Sequence, residues 1–478
     1  MFMPRRLRAR LRLLLTLGFC CFALATLARA QTAPALPPAL QVQIDRAAHD
    51  VLNATGVPSA SLAVVRDGTV VYVQAYGDAR LDPRVAATPA MAYSVGSISK
   101  QFTAAAILLL QQDGKLSLDD PVGKYVPGLT RGHEVTIREI LSHTSGYQDF
   151  WPQDYVPPIM LKPITPDGIL DRWARRSLDF EPGTRWQYSN TNFVIAGLIV
   201  AKAAGMPLWP FLQQHVFGPL GMTSVRNSDE HALPQSANDP VGYYRHALGP
   251  ARPAPIAGSG WMFAAGELAM TAGDLAKWDI SMIDQTVLKP ASYREMETEV
   301  RLKNGVGTHY GLGVHVAMVN GHREIEHSGE VSGFTSENIV LPDDRIAVAV
   351  LTNQDAASAG AQIGRRVVSA LLQHDSPRDQ QRNALIRKVF DGLRQGRIDR
   401  TRFTANANAY FDAQALHDYA ASLAPLGPVQ SVTPTTVGER GGMTYRGFQV
   451  KFAKKTVVVS VYEMPDGKFE QFLVESRE

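Results

Sequence analysis

Cysteine is nearly absent from this 478-residue chain: the two present, Cys20 and Cys21, both fall within the first thirty residues. Beyond residue 30 the chain therefore has neither a disulfide nor thiolate chemistry, and a chain of this size folds without cross-links because it buries a large core. A membrane span is missing as well. The apolar run from Leu13 to about Leu27 is too short to cross comfortably. It follows Arg5, Arg6, Arg8, Arg10 and Arg12 and ends in Ala28-Arg29-Ala30, the arrangement of a signal peptide over residues 1–30 with cleavage before Gln31. The expected product is exported, periplasmic or secreted. Phe19 before Cys20 does not suit lipidation, and the residues around Arg5-Arg6 do not suit a twin-arginine signal.

Surplus positive charge is the next absence. The nominal net charge is +3, but residues 1–30 hold six arginines and no acidic residue, which leaves 42 basic against 45 acidic groups, a net of −3. Nucleic acid and stable membrane insertion are thus not implied. His133-Glu134 has no second histidine four residues on, so a zinc-hydrolase motif is missing, and no metal or cofactor is expected. No Gly-x-Ser-x-Gly elbow of an α/β-hydrolase occurs, and there are no repeats or low-complexity segments.

What is present divides into stretches. Residues 31–40, rich in Pro and Ala, read as a tether. A helix is predicted near Gln41 to Asn53, then a hairpin of Ser61 to Val65 and Thr69 to Ala75 across Arg66-Asp67-Gly68. Thr136-Ile137-Arg138-Glu139 is a capping box, and residues 150–168 form a Pro-rich loop with Trp151 and Tyr155, suited to the neighbourhood of a site. Helices are expected over about Asn192 to Ala203 and Thr271 to Met282, the latter with Leu275 and Trp278 inward. From Gly311 the period changes to two, predicting strands Leu312–Val319, Arg323–His327, Phe334–Leu341 and Ile346–Asn353, closed by a helix near Ala361 to Leu372. Strands at both ends around a helical middle give an α+β fold: an antiparallel sheet built from both ends of a unit spanning 41–373. A linker is expected over 374–380, and 381–478 read as a small α+β accessory domain with two helices and four strands.

Three short strings carry candidate chemistry. In Gly96-Ser97-Ile98-Ser99-Lys100 a helical pattern starts just after Ser97 (Ile98, Phe102, Ala105, Ala106, Leu109, Leu110), placing Ser97 at a helix N-terminus. Lys100 lies about one turn on, where its amine folds back over the serine hydroxyl, and a lysine in a dry pocket has a lowered pKa and serves as base. Alone, the string reads more readily as a capped helix with an exposed lysine. Tyr188-Ser189-Asn190 sits between a turn and a helix; a phenol near an ammonium is expected to ionise below its usual value of about 10, and the asparagine amide to hold a substrate carbonyl. His327-Ser328-Gly329 ends a predicted strand, where glycine admits a substrate backbone and an adjoining N–H completes an oxyanion hole.

In this order, together with Leu141-Ser142-His143-Thr144-Ser145-Gly146, Glu181-Pro182-Gly183-Thr184, Pro219-Leu220-Gly221-Met222 and Gly273-Asp274-Leu275-Ala276-Lys277-Trp278, these strings resemble the serine β-lactamase-like superfamily. The branch is that of class C β-lactamases, D,D-peptidases, D-aminopeptidases and related esterases, and the resemblance covers roughly residues 40–373. It implies a β-lactamase/transpeptidase-like fold, with Ser97 as acylated nucleophile and Lys100 and Tyr188 sharing the proton transfers. Asn190, His327, Ser328 and Gly329 would contact substrate, and the backbone N–H groups of Ser97 and Glu330 would form the oxyanion hole. His143 is given a structural place. The C-terminal unit resembles a cystatin-like sheet.

One departure concerns His327-Ser328-Gly329, where class C β-lactamases carry Lys-Thr-Gly. A histidine is largely neutral near pH 7 and favours a substrate carboxylate less than a lysine does. The expected activity is an exported serine hydrolase acting on an amide or ester in a small molecule or short peptide, peptidase or esterase before β-lactamase. The alternative is a non-catalytic binding or sensor protein on the same fold, against which the joint retention of Ser97, Lys100, Tyr188 and Asn190 argues.

Overall fold

The computed structural model describes residues 36–375 and 377–476; the expected signal peptide over 1–30 and residues 31–35 of the tether lie outside them. The rest of the expected tether is already structured. Leu36 and Leu40 are buried, and helix α1 (Pro38–Thr55) begins there, because a proline at the first helical position has no N–H to leave unpaired. Strands β1 (Ser59–Arg66) and β2 (Thr69–Leu81) form the expected hairpin, extended at its open end, and β3 (Arg84–Ala86) adds an edge. Two long helices of the middle follow, α2 (Ser99–Gln112) and α3 (Asn190–Ala204), then α4 (Ala272–Asp284). The chain returns to the sheet through β4 (His315–Val319), β5 (His322–Val331), β6 (Phe334–Leu341) and β7 (Ile346–Thr352), and ends the unit in α5 (Ala359–Asp375).

The resulting seven-stranded sheet has the order β3-β2-β1-β7-β6-β5-β4, so the first and last strands of the unit pair at its centre, with Leu62 opposite Val350 and Ala63 opposite Ala349. All pairings among these strands are antiparallel. Alternate side chains of a strand face opposite sides, and both sides are covered here. Leu62, Val64, Val348 and Val350 pack with Leu40, Ile44, Ala48 and Val51 of α1 and Ile363, Val367 and Leu371 of α5. Ala63, Val65, Ala347, Ala349 and Leu351 face the helical middle, including Phe102 of α2 and Trp278 of α4. That double burial is why β7 is apolar without alternation.

Helix α2 lies within this second layer, with Ser99 through Leu108 all buried, and it carries Lys100 into the interior. Two boundaries differ from the sequence expectation. Strand β4 begins three residues later than expected, because Gly313 at φ 75° turns the chain ahead of it. Strand β5 runs on to Val331, so His327-Ser328-Gly329 is inside a strand and not at its end.

The segment expected as a linker over 374–380 is helical on both sides of Ser376: α5 extends to Asp375, and α6 (Pro377–Leu393) starts with a proline at its first position. A polar sequence is compatible with a helix as well as with a loop, so composition alone does not separate the two. The C-terminal unit adds α7 (Ala413–Leu423) and an antiparallel sheet β8 (Ser431–Arg440), β9 (Met443–Lys451), β10 (Thr456–Glu463), β11 (Phe469–Ser476) in sequential order. Its own core holds Phe390, Phe403, Phe411, Phe448, Phe452 and Phe469. Among the described residues no single helix is long and apolar enough to cross a membrane.

Candidate active site

Ser97 sits on a single 3-10 turn, Gly96–Ile98, that feeds directly into α2. Gly96 has φ 52°, and a Cβ there would stand 2.7 Å from the backbone nitrogen of Glu330. A Cβ on Gly329 would stand 1.9 Å from the Val95 carbonyl oxygen. These two glycines let the serine turn and strand β5 approach to backbone contact, which brings the Glu330 backbone nitrogen next to the turn that carries Ser97.

Lys100, the second residue of α2 and one turn beyond Ser97, is fully buried. Its Nζ donates to Ser97 Oγ, to Asn190 Oδ1 and to the carbonyl oxygen of Ala265, each at 2.8 Å. Burial pulls its pKa down from 10.5 to about 7, against the Asp149 carboxylate, which works to raise it. The segment that supplies Ala265 is stitched to α2 by two neighbouring bonds, Thr103 Oγ1 to the Ala264 carbonyl at 2.8 Å and the Leu268 N–H to Ser99 Oγ at 3.1 Å.

Tyr188 closes the other side of the lysine, whose Nζ is 5.0 Å from the centre of the phenol ring. Here the sequence expectation is corrected. The Tyr188 phenol is not brought below its usual range: burial raises its pKa, the hydrogen bond to Ser97 only works against that rise, and the Asp149 charge adds to it. The lysine ammonium lies over the face of the ring in a cation–π contact, and burial decides the direction of the shift.

Asn190, the first residue of α3, is engaged by protein at both ends of its amide: Oδ1 accepts from Lys100 and Nδ2 donates to Asp149 Oδ1 at 3.2 Å. It thus holds the lysine, while Nδ2 has a second hydrogen and the residue lines the cleft. Asp149 was not identified from sequence. It is mostly buried, accepts the backbone N–H groups of Asn190 at 2.9 Å and Trp151 at 3.2 Å, and has its pKa raised by burial.

His327 is buried, and both ring nitrogens are occupied. Nδ1 lies 2.5 Å from the Ser328 carbonyl, which can only accept, so Nδ1 carries the proton and Nε2 accepts from Tyr310 Oη at 2.8 Å. Burial, then the neighbouring His315 and Lys100, hold its pKa down to about 3. His327 therefore lines the site as a neutral ring without a free hydrogen-bonding atom, not as the substrate-binding side chain expected. Ser328 next to it is exposed.

Ser97, Asp149, Tyr188, Asn190, His327 and Ser328 line a cleft of about 630 Å³, with Lys100 buried behind them. Its walls are aromatic (Phe150, Trp151, Tyr155, Trp186, Trp261), so the Pro-rich 150–168 loop does border the site. Four carboxylates also line it, Asp149, Asp154, Glu330 and Asp355, and among the described lining residues there is no lysine or arginine. No three His, Cys, Asp or Glu side chains converge as a metal-binding group among the described residues.

A family model described as "Beta-lactamase" matches residues 44–373. The putative penicillin-binding protein PbpX of Bacillus subtilis (strain 168) is 28% identical over 319 residues, 66% of this chain and 75% of that protein. The D-aminopeptidase of Gluconobacter oxydans (strain 621H) is 30% identical over 318 residues, 64% of this chain but only 58% of that protein, so the chain spans less than two thirds of this relative. Among solved structures, the D-amino acid amidase of Ochrobactrum anthropi SV3 complexed with D-phenylalanine superposes with a TM-score of 0.63 at 24% identity, covering 70% of this chain and 99% of that one. That likeness is one of fold.

Proposed function

The chain belongs to the beta-lactamase family, a superfamily of serine hydrolases, and we propose that it cleaves an amide or ester through an acyl-enzyme on Ser97. The observation that carries this reading is the set of partners of Lys100. A neutral amine has two N–H bonds and one lone pair. Asn190 Oδ1 and the Ala265 carbonyl accept only, so they take the two N–H bonds and leave the lone pair directed at Ser97 Oγ, 2.8 Å away. With a pKa of about 7, half of the lysine is in that neutral form near neutrality.

The substrate carbonyl would lie over Ser97 with its oxygen toward the N–H groups of residues 97 and 330. As Oγ attacks the carbon, its proton passes to Lys100, and the negative charge gathers on the oxygen between the two N–H groups. The neutral Tyr188 phenol, beside Ser97, donates its proton to the departing nitrogen or oxygen and is reprotonated from Lys100. Water then attacks the acyl-enzyme by the same steps in reverse, restoring Ser97.

The cleft favours a peptidase or esterase over a β-lactamase. A β-lactam or a peptide C-terminus brings a carboxylate into a cleft with four carboxylates and a neutral His327. A D-amino acid amide, peptide or ester with a free ammonium brings the opposite charge, and the relative named D-aminopeptidase agrees with that class. The proposal includes export of the mature chain, which rests on the Arg-rich and apolar composition of residues 1–30 and is checked by N-terminal sequencing of the protein from the cell envelope and medium.

The direct test is labelling by a fluorophosphonate and by a fluorescent penicillin, in wild type and Ser97→Ala. Wild type should react with the fluorophosphonate and the mutant should not; equal labelling of both would end the acyl-enzyme reading. Labelling by the fluorophosphonate and not by the penicillin is the pattern expected of a peptidase or esterase.

A further inference from the structure

We propose that Asp149 is a positioning residue that locks the Asn190 side-chain amide with its oxygen toward Lys100, and so aims the Lys100 lone pair at Ser97. This rests on the acyl-enzyme reading of the same site. An amide side chain has two ends of nearly the same shape, and only its surroundings decide which one faces the lysine. If Asn190 presented Nδ2, the neutral amine would turn its lone pair to that donor and away from the serine.

Asp149 prevents this from the other side. A carboxylate only accepts, so Nδ2 must face it, at 3.2 Å from Oδ1 and 3.4 Å from Oδ2, and Oδ1 must face Lys100. The carboxylate is itself held by the Asn190 and Trp151 N–H groups. It sits at the N-terminus of the 15-residue helix α3, where unpaired N–H groups favour a negative charge. The titratable groups near Lys100 are Asp149, Tyr188 and the histidines His143 and His327. Burial keeps both histidines neutral, so Asp149 is the counter-charge to the ammonium.

The competing account is that Asp149 only caps α3, and Asp149→Asn separates the two. Asparagine also caps well and keeps an oxygen for the Asn190 N–H, but it carries no charge and can present either amide end to Asn190. The measurement is the rate of Ser97 phosphonylation by a fluorophosphonate against pH, which needs the nucleophile and its base without substrate recognition.

The expected result is a plateau rate lower by about tenfold or more, with the rise in rate displaced to lower pH, because loss of the carboxylate removes the influence that raises the Lys100 pKa. Asp149→Glu should keep the rise near its wild-type pH. In an Asn190→Ala background, replacing Asp149 should change the plateau little, since the amide through which it acts is gone. If Asp149→Asn does not fold, Asp149→Ser, which keeps a capping oxygen without the charge, is read by the same criteria. A lower melting temperature with wild-type plateau and wild-type pH dependence would make Asp149 a cap and overturn the proposal. If wild-type Ser97 itself is not phosphonylated, the acyl-enzyme reading fails instead.

Discussion

His143 Nδ1 accepts the backbone N–H of Ser189 at 3.1 Å, and its ring lies against that of Tyr188 with centroids 4.2 Å apart. Through this contact the Leu141–Gly146 turn holds the turn that carries Tyr188 and Asn190. Because Nδ1 accepts, the neutral ring carries its proton on Nε2, and burial holds its pKa well below 6.5. His143 is thus a fixed neutral strut beneath the phenol.

His143→Ala should remove the buried hydrogen bonds that Nδ1 accepts from the Ser189 N–H and from Asn192 Nδ2 and leave a cavity, costing about 3 kcal/mol of stability. Fluorophosphonate labelling should fall by about tenfold through displacement of Tyr188 and Asn190, with its pH dependence unchanged. His143→Asn should recover part of the loss: its amide oxygen can accept the same N–H, and asparagine tolerates the left-handed backbone at φ 59°. Thermal melts and labelling rates check both variants. A displaced pH profile in either would show that His143 titrates in the reaction and would sink the structural assignment.

The buried lysine sets the pH dependence. The reactive form is the neutral amine, and its pKa is about 7. Below that value the lysine is protonated and its lone pair is occupied, so the labelling rate should fall as pH drops through about 7 and level off above it. His327 and His143 cannot produce this limb, since both are held neutral across the range. Lys100→Arg keeps the charge permanently and should label about a thousandfold more slowly with no rise near pH 7. A wild-type rate that is flat between pH 5 and 9 would rule out Lys100 as the base.

How much of this was written in the sequence follows from the range of the interactions. Ser97 and Lys100 are three residues apart on a helical pattern, and their bond could be read from spacing. The strands from Gly311 onward were legible from apolar runs set between the turn residues Asn320-Gly321 and Pro342-Asp343-Asp344, although the doubly buried β7 does not alternate. A sheet shared by both ends was legible because both ends of the unit are strands; that β1 and β7 pair at its centre was not. Asp149 was not legible: it is one acidic residue in a Pro-rich stretch, and the amide it orients lies 41 residues away. The elevated Tyr188 pKa and the occupied nitrogens of His327 share that cause. Proximity of a lysine to a tyrosine is a local inference, but whether the ammonium meets the hydroxyl or the ring face is decided by packing. Tyr310, which takes up His327 Nε2, has no signature of its own.

The charge of the cleft leads to the last prediction. Asp154, Glu330 and Asp355 raise the local negative potential together: burial raises the Glu330 pKa, and the charges of Asp154 and Asp355 add to the rise. No lysine or arginine among the described lining residues offsets them. A substrate ammonium entering the cleft gains from this field and a carboxylate is repelled by it, with salt weakening both effects because the cleft is open to water. An aromatic D-amino acid amide with a free ammonium should therefore be cleaved with kcat/KM at least about tenfold above its N-acetyl analogue, and further above the N-succinyl one. Raising the ionic strength should narrow the gap, and so should Asp154→Asn with Asp355→Asn, without reversing it. A lead for the succinylated substrate would mean that carboxylate recognition governs this site and would return the β-lactam and C-terminal peptide substrates to first place.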